Sequence, residues 1–256
     1  MKPCLALAAN TFLEAVREKV LYLLAGFAVS VFVASRLLSP LALGEGRRVT
    51  IDLGMFSLSV FGLLMIVFVG HSLVYREIER GSVAFVFSRP VDRGTFVAGK
   101  FIGLAVVLAI AEAVMGGILA LVLLASGYAV GSSLAGAVFL NLLDLWILAG
   151  LAILFAVLAS PVLAGLFVLG AWAIGHAAGS LGDLAGLLPA GIAASGARAL
   201  LWVVPRLDLF DATGWLVRGE AIQTEGWLFL LSYAVLYVSG ALLLARVAFA
   251  RRSLMG

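Results

Sequence analysis

Charge is scarce in this sequence. Only 12% of its 256 residues are Asp, Glu, Lys or Arg, where a soluble globular domain carries about 25%. With 64% apolar residues and a mean hydropathy of +1.18, the shortfall excludes an ordinary water-soluble domain and points to a chain that crosses a bilayer several times. Cysteine is nearly missing. Cys4 alone rules out an internal disulfide and any multi-cysteine metal site, and no apolar run precedes it as a lipid-modified cysteine requires. Histidine occurs twice, at His71 and His176, on different apolar runs. There is no H-E-x-x-H, no G-x-S-x-G and no Cys/His cluster, so an enzyme site would have to be assembled from very little. A complete phosphate-binding loop G-x-x-x-x-G-K-[ST] is lacking too, since Gly99-Lys100 is followed by Phe101 rather than a hydroxyl residue. The net charge of +3 and pI near 9.3 do not indicate nucleic acid, because the basic residues lie between apolar runs and not on one face.

What is present is apolar sequence in long blocks. A spanning helix needs about 20 mostly apolar residues, and six segments meet this: roughly 20–42, 55–75, 96–125, 135–159, 162–182 and 227–249. The third is longer than a bilayer needs and is expected to tilt or project. Residues 5–19 differ. Leu5, Ala8, Ala9, Phe12 and Val16 recur at helical spacing opposite Asn10, Glu14, Arg17 and Glu18, which predicts an amphipathic helix lying in the interface before the first span. The first apolar run follows these charges, so no cleavable signal is expected.

Lys and Arg set the orientation. Six spans place both termini on one side, together with Lys2, Arg17, Lys19, Arg76, Arg80, Arg89, Arg93, Lys100, Arg246, Arg251 and Arg252. The other side keeps Arg36, Arg47, Arg48, Arg198, Arg206 and Arg218. Eleven against six predicts cytoplasmic termini. Within 183–226, residues 184–204 are apolar, but Pro189, Gly191, Ser195, Gly196 and Arg198 argue against a seventh span, which would also carry the basic tail outside. Short re-entrant or interfacial helices on the outer face are expected there, with Trp202, Trp215 and Trp227 at the headgroup level.

Between the second and third spans lies a charged island, Arg76-Glu77-Ile78-Glu79-Arg80, then Gly81-Ser82, the apolar run Val83–Phe87, and Ser88-Arg89-Pro90-Val91-Asp92-Arg93. Gly81 bends or ends a helix, and Pro90 punctuates the approach to the third span. A short amphipathic element with charged flanks suits a docking surface for a soluble partner, and the same charges suit an ordinary positive-inside loop.

Two acids lie inside the apolar blocks. Glu112 is about 18 Å into the third span from the cytoplasmic side and Asp144 about 13 Å into the fourth from the outer side, at about 1.5 Å per residue. In a core about 30 Å thick these depths nearly coincide. Ionisable groups at that depth face protein or a water-filled cavity. Glu112, Asn141 and Asp144 are therefore candidates for a translocation path. A hydrogen-bonded helix contact, with Asn141 one turn from Asp144, is the reading the residues favour over such a path. His176, in Gly175-His-Ala-Ala-Gly179, reads as a packing residue where small residues let another helix approach.

The order of these pieces resembles the permease subunits of type-2 ABC exporters. The features are Glu77-Ile78-Glu79-Arg80-Gly81-Ser82, Ser88-Arg89-Pro90-Val91-Asp92-Arg93, Gly99-Lys100 heading a span, an elbow-like Thr11–Tyr22, the segment Val204-Pro-Arg-Leu-Asp-Leu-Phe-Asp211, and the basic tail Phe249-Ala-Arg-Arg252. The similarity covers the whole chain, 1–256, as one permease domain. It implies an all-α integral membrane fold: six spans, an elbow helix at 5–19, a cytoplasmic coupling helix within 76–95, and the outer segment 183–226. It also implies a non-catalytic subunit in a prokaryotic plasma membrane, paired with a second permease copy, commonly as a homodimer, and with two ABC ATPase subunits that hold ATP and Mg. An accessory protein outside the cell is a further implied partner.

Docking residues implied by the resemblance are Arg76, Glu77, Glu79, Arg80, Arg89 and Arg93 through charge, Val83, Phe85 and Phe87 through apolar insertion, and Pro90 at the turn. The subgroup most similar in appearance includes the membrane subunit of the copper-linked system that matures nitrous oxide reductase. Copper is not carried over, because Met55, Met65 and Met115 are scattered and Cys4 lies outside the spans. The reading from a different class is a proton-coupled secondary transporter or channel using Glu112 and Asp144.

Overall fold

The computed structural model describes residues 20–38, 45–70, 93–187, 204–213 and 224–251. The described residues are helical with short connections and contain no strand. In chain order the helices are α1 (Val20–Leu38), α2 (Gly46–Met65, continued by the π turn Ile66–Gly70), α3 (Arg93–Ala125), α4 (Ser133–Leu158), α5 (Pro161–His176), α6 (Ala178–Leu187) and α7 (Thr224–Arg251), with a 3₁₀ turn at Leu207–Phe210 between the last two.

The helix ends follow local chemistry. After α3, Gly127 adopts φ +81°, where a side chain would be strained. Its N–H reaches Leu124 O at 3.0 Å, and the Tyr128 N–H reaches Leu123 O at 2.9 Å. Together these form a Schellman closure that satisfies two carbonyls of the last turn. The break between α4 and α5 is made by extended Ala159 and Ser160, with Pro161 opening α5, where its missing N–H costs nothing.

Among the described residues, four helices are long and apolar enough to cross a membrane: Gly46–Phe68, Gly94–Ala125, Ser133–Leu158 and Glu225–Phe249. The pair α5 and α6 makes a fifth if counted as one span, bent by 62° at its break. The first expected span falls on α1, whose described apolar stretch, Tyr22–Ser35, is shorter than a crossing requires. The expected fifth span, 162–182, falls on this bent pair. The second span also begins earlier than its hydropathy suggests, at Gly46 and not near 55. Arg47, Arg48 and Asp52 dilute the apolar signal there, yet Arg48 and Asp52 form an i,i+4 ion pair at 3.7 Å on the helix surface. The elbow segment 5–19 lies outside the described residues.

Helix α4 is the hub. It packs against α2, α3, α5 and α7, and 78% of its spanning window is buried, against 22% for α7. A helix apolar on all sides belongs in such a position. Any polar side chain on α4 is thereby forced to find its partner inside the protein. Close approach depends on glycines of α2. A Cβ at Gly54 would stand 2.3 Å from Leu119 Cδ1, and one at Gly62 2.3 Å from Leu145 Cδ1.

Candidate functional site

Asn141 and Asp144 lie one turn apart on α4, and both are buried. They face different partners. The Asn141 Nδ2 donates to Glu112 Oε2 of α3 at 3.0 Å. Asp144 Oδ2 stands 3.3 Å from His176 Nε2, the last residue of α5. That distance allows an ion pair, but the contact is off hydrogen-bond alignment. Among the described residues, neither Asp144 oxygen, nor His176 Nε2, nor Glu112 Oε1 has a hydrogen-bond partner. Glu112 and Asp144 are each only 1% exposed, so the unmet oxygens cannot turn to bulk water. Gly62 helps make room for the Glu112 head, since a Cβ there would sit 3.1 Å from Oε1.

Glu112 and Asp144 are linked through α4, where Asn141, the partner of Glu112, lies one turn from Asp144. The pairing differs in detail. Asn141 serves Glu112, and Asp144 is served by the histidine that reads from sequence as packing. His176 also stands edge-on to Trp172, ring centroids 5.3 Å apart. The Trp172 Nε1 donates to Ser59 Oγ at 3.1 Å, tying α5 to α2.

These groups line one side of a cavity of about 300 Å³. Its walls are Asp52, Met55, Phe56 and Ser59 from α2, Asn141 and Asp144 from α4, and Trp172 and His176 from α5. Phe210, Asp211, Ala212 and Thr213 complete it from the 3₁₀ turn onward. A second cavity of about 450 Å³ lies between α3 and the first half of α4, lined by Glu112 with Gly116, Gly117 and Leu134. Asn141 lines the first cavity and Glu112 the second, so their hydrogen bond stands between the two.

The 3₁₀ turn is seated by glycines. Leu207 and Pro205 O would lie 2.6 Å and 2.8 Å from a Cβ at Gly175, and Asp208 Oδ2 2.9 Å from one at Gly179. The Gly-x-x-x-Gly spacing does mark a close approach, but this turn makes it rather than another helix. Polar ties hold the turn. The Arg206 N–H donates to Tyr233 Oη of α7 at 2.9 Å, and the Arg206 guanidinium is paired with Asp208 at 2.8 Å. That hydrogen bond pushes the Arg206 guanidinium above its already high ordinary pKa, so the guanidinium stays charged across the physiological range.

Of the expected docking residues, Arg76, Glu77, Glu79, Arg80, Val83, Phe85, Phe87, Arg89 and Pro90 lie outside the described residues. Arg93 is the first residue of α3. The run Gly94–Lys100 carries the glycine spacing of a phosphate-binding loop as far as its lysine, but it forms the first turns of a continuous helix. Lys100 is 2% exposed, with its Nζ 5.9 Å from the Phe96 ring centroid. That is a packed helix start, not a phosphate cradle. Among the described residues, no group of three or more His, Cys, Asp or Glu is placed to hold a metal ion.

Sequence reasoning missed Asp52, Ser59, Trp172 and Asp211 as cavity residues. No pattern along the chain marks them, because they converge from three elements. The position of His176 one residue after Gly175 was the nearest available signal.

A family model described as ABC-2 family transporter protein matches residues 5–254. No curated protein matches the sequence. With nearly its whole length matched, the chain belongs to the ABC-2 transporter family and is a multi-pass membrane permease.

Proposed function

We propose that this ABC-2 permease is the transmembrane half of an ATP-driven exporter. A separate ATPase supplies the energy, and residues 76–95 form the surface on which it docks. The observation that carries the reading is the buried polar line Glu112–Asn141–Asp144, met by the half-buried His176 and centred on the most enclosed of the long helices, in a chain matched over residues 5–254 by a transporter family. Burying Glu112, Asn141 and Asp144 at the centre of an apolar bundle is costly and serves a substrate route better than it serves packing.

In this reading the chain crosses a prokaryotic plasma membrane six times, α1 and the α5–α6 pair each counting once, with both termini in the cytoplasm. Two copies assemble with two ATPases, which hold ATP and Mg. ATP binding draws the ATPases together, residues 76–93 move with them, and the permease halves rock to open the route outward. An accessory protein on the outer segment 183–226 is compatible with this arrangement. The likeness to the nitrous oxide reductase maturation subunit gives no cargo, and no copper role is assigned.

The test is a tagged pull-down from native membranes with ATPase activity assayed on the eluate. The expected result is a stoichiometric ATP-binding partner that is lost on Glu77→Lys with Glu79→Lys, while the permease itself remains folded. A permease that purifies alone, without ATPase activity, overturns the reading. The Asp144–His176 pair favours one second reading, a proton-coupled transporter. Transport driven by a proton gradient without ATP would select it.

A further inference from the structure

The α2–α4–α5 cavity has a chemical signature of its own. At its inner wall is Asp144, 1% exposed, with neither oxygen hydrogen-bonded. Asp52 and Asp211 add two more carboxylates toward the 3₁₀ turn, close enough to repel each other. Against these three stand His176, which meets Asp144 without hydrogen-bond alignment, and Arg48, paired with Asp52 on the exposed face of α2. Among the residues lining the cavity, carboxyl groups thus outnumber basic side chains three to one. Its apolar walls include Trp172, Phe56 and Phe210, and aromatic faces attract cations, most strongly when water is excluded. A volume of about 300 Å³ lies at the small end of ligand sites, which begin at about 300 Å³. With no three ligands grouped for a metal ion among the described residues, the better match is an organic cation.

We propose that this cavity binds the ammonium group of a cationic, amine-bearing cargo, with Asp144 accepting its N–H donors and Trp172 packing on its apolar part. The proposal rests on the permease reading for the word cargo, but the binding site itself does not depend on an ATPase. Shape and charge assign different parts of such a ligand to different walls. The amine lies toward α4, and the carbon skeleton lies between the α2 and α5 aromatics.

The experiment uses the full chain in detergent, with 2-phenylethylamine as probe and 2-phenylethanol as its neutral counterpart, read by calorimetry. The expected result is saturable binding of the amine at pH 7, with the alcohol at least ten-fold weaker. Asp144→Asn should weaken the amine at least ten-fold and leave the alcohol unchanged. Because Asp144 is buried, Asp52→Asn serves as a second variant at a less enclosed position, with an expected loss of two- to five-fold. Equal binding of amine and alcohol overturns the proposal, as does absence of amine binding to a monodisperse protein, or full amine affinity in both variants. Discrimination by a chain that recruits no ATPase would keep the cation site and remove the exporter reading. ATPase recruitment without discrimination would do the reverse.

Discussion

Removing the carboxamide of Asn141 would leave both Glu112 oxygens without a protein donor at a nearly fully buried position. A buried acceptor stripped of its partner costs about 1–3 kcal/mol, so Asn141→Ala should lower the thermal unfolding midpoint in detergent. Glu112→Gln keeps the acceptor and the volume, and should shift that midpoint far less. Replacing both residues with Leu should recover part of the Asn141→Ala loss, because no orphaned group then remains. If the two residues only hold helices together, transport will follow stability across this set. The expectation from the cavities on either side is different. Glu112→Gln and Asp144→Asn should each reduce transport at unchanged expression, and full transport in both would remove them from the substrate route. Sequence made these three residues legible, because a charge or amide in an apolar block stands out. The partner of each was not legible, because whether Asn141 faces α3 or α5 depends on helix rotation, and apolar periodicity is weak in a helix buried on all sides.

Helix by helix, the glycines carry the sharper tests. Gly175→Ala would drive a Cβ into Leu207 and the Pro205 carbonyl. Backbone yields less readily than a side-chain tip, and overpacking of this kind typically costs 1–3 kcal/mol, so about 2 kcal/mol is expected, with the 3₁₀ turn displaced from the cavity. Gly170→Ala on the same helix meets nothing within 4 Å and should be neutral or stabilising by up to about 1 kcal/mol. Thermal melts of the two variants, side by side, check the contrast. The long blocks behind α3, α4 and α7 are read within a few residues from hydropathy alone, since each is apolar over most of its length and ends at a glycine, proline or charged boundary. Two features escape that reading for physical reasons. The start of α2 is masked by Arg47, Arg48 and Asp52, whose charges sit on a helix surface. The 62° bend at Ala177 has no proline to announce it and coincides with the docking of the 3₁₀ turn.

At the scale of the whole molecule, the fold joins its two ends through α3. The Phe96 ring at its start stacks on Phe249 of α7, centroids 5.9 Å apart, so the beginning of the third helix packs against the end of the last one. If motion from a docked ATPase travels along α3, softening the helix midway should separate hydrolysis from transport. Val106→Pro, at a half-exposed position between Arg93 and Glu112, should leave ATP hydrolysis by the assembled complex largely intact while transport per ATP falls. Unchanged coupling in a folded Val106→Pro complex would count against that route. The 33 residues of α3 make a rod about 50 Å long at about 1.5 Å per residue. Pivoted at its Ala125 end, the rod has Glu112 about 20 Å from the fulcrum and Arg93 about 48 Å from it, at the same rise. The gearing is therefore about two to five. A swing of about 2.5 Å at the Arg93 end arrives at Glu112 as about 1 Å, enough to stretch a 3.0 Å hydrogen bond beyond about 3.5 Å, where it no longer counts as one. If the coupling runs this way, a displacement of about 2.5 Å at the Arg93 end would part Glu112 from Asn141.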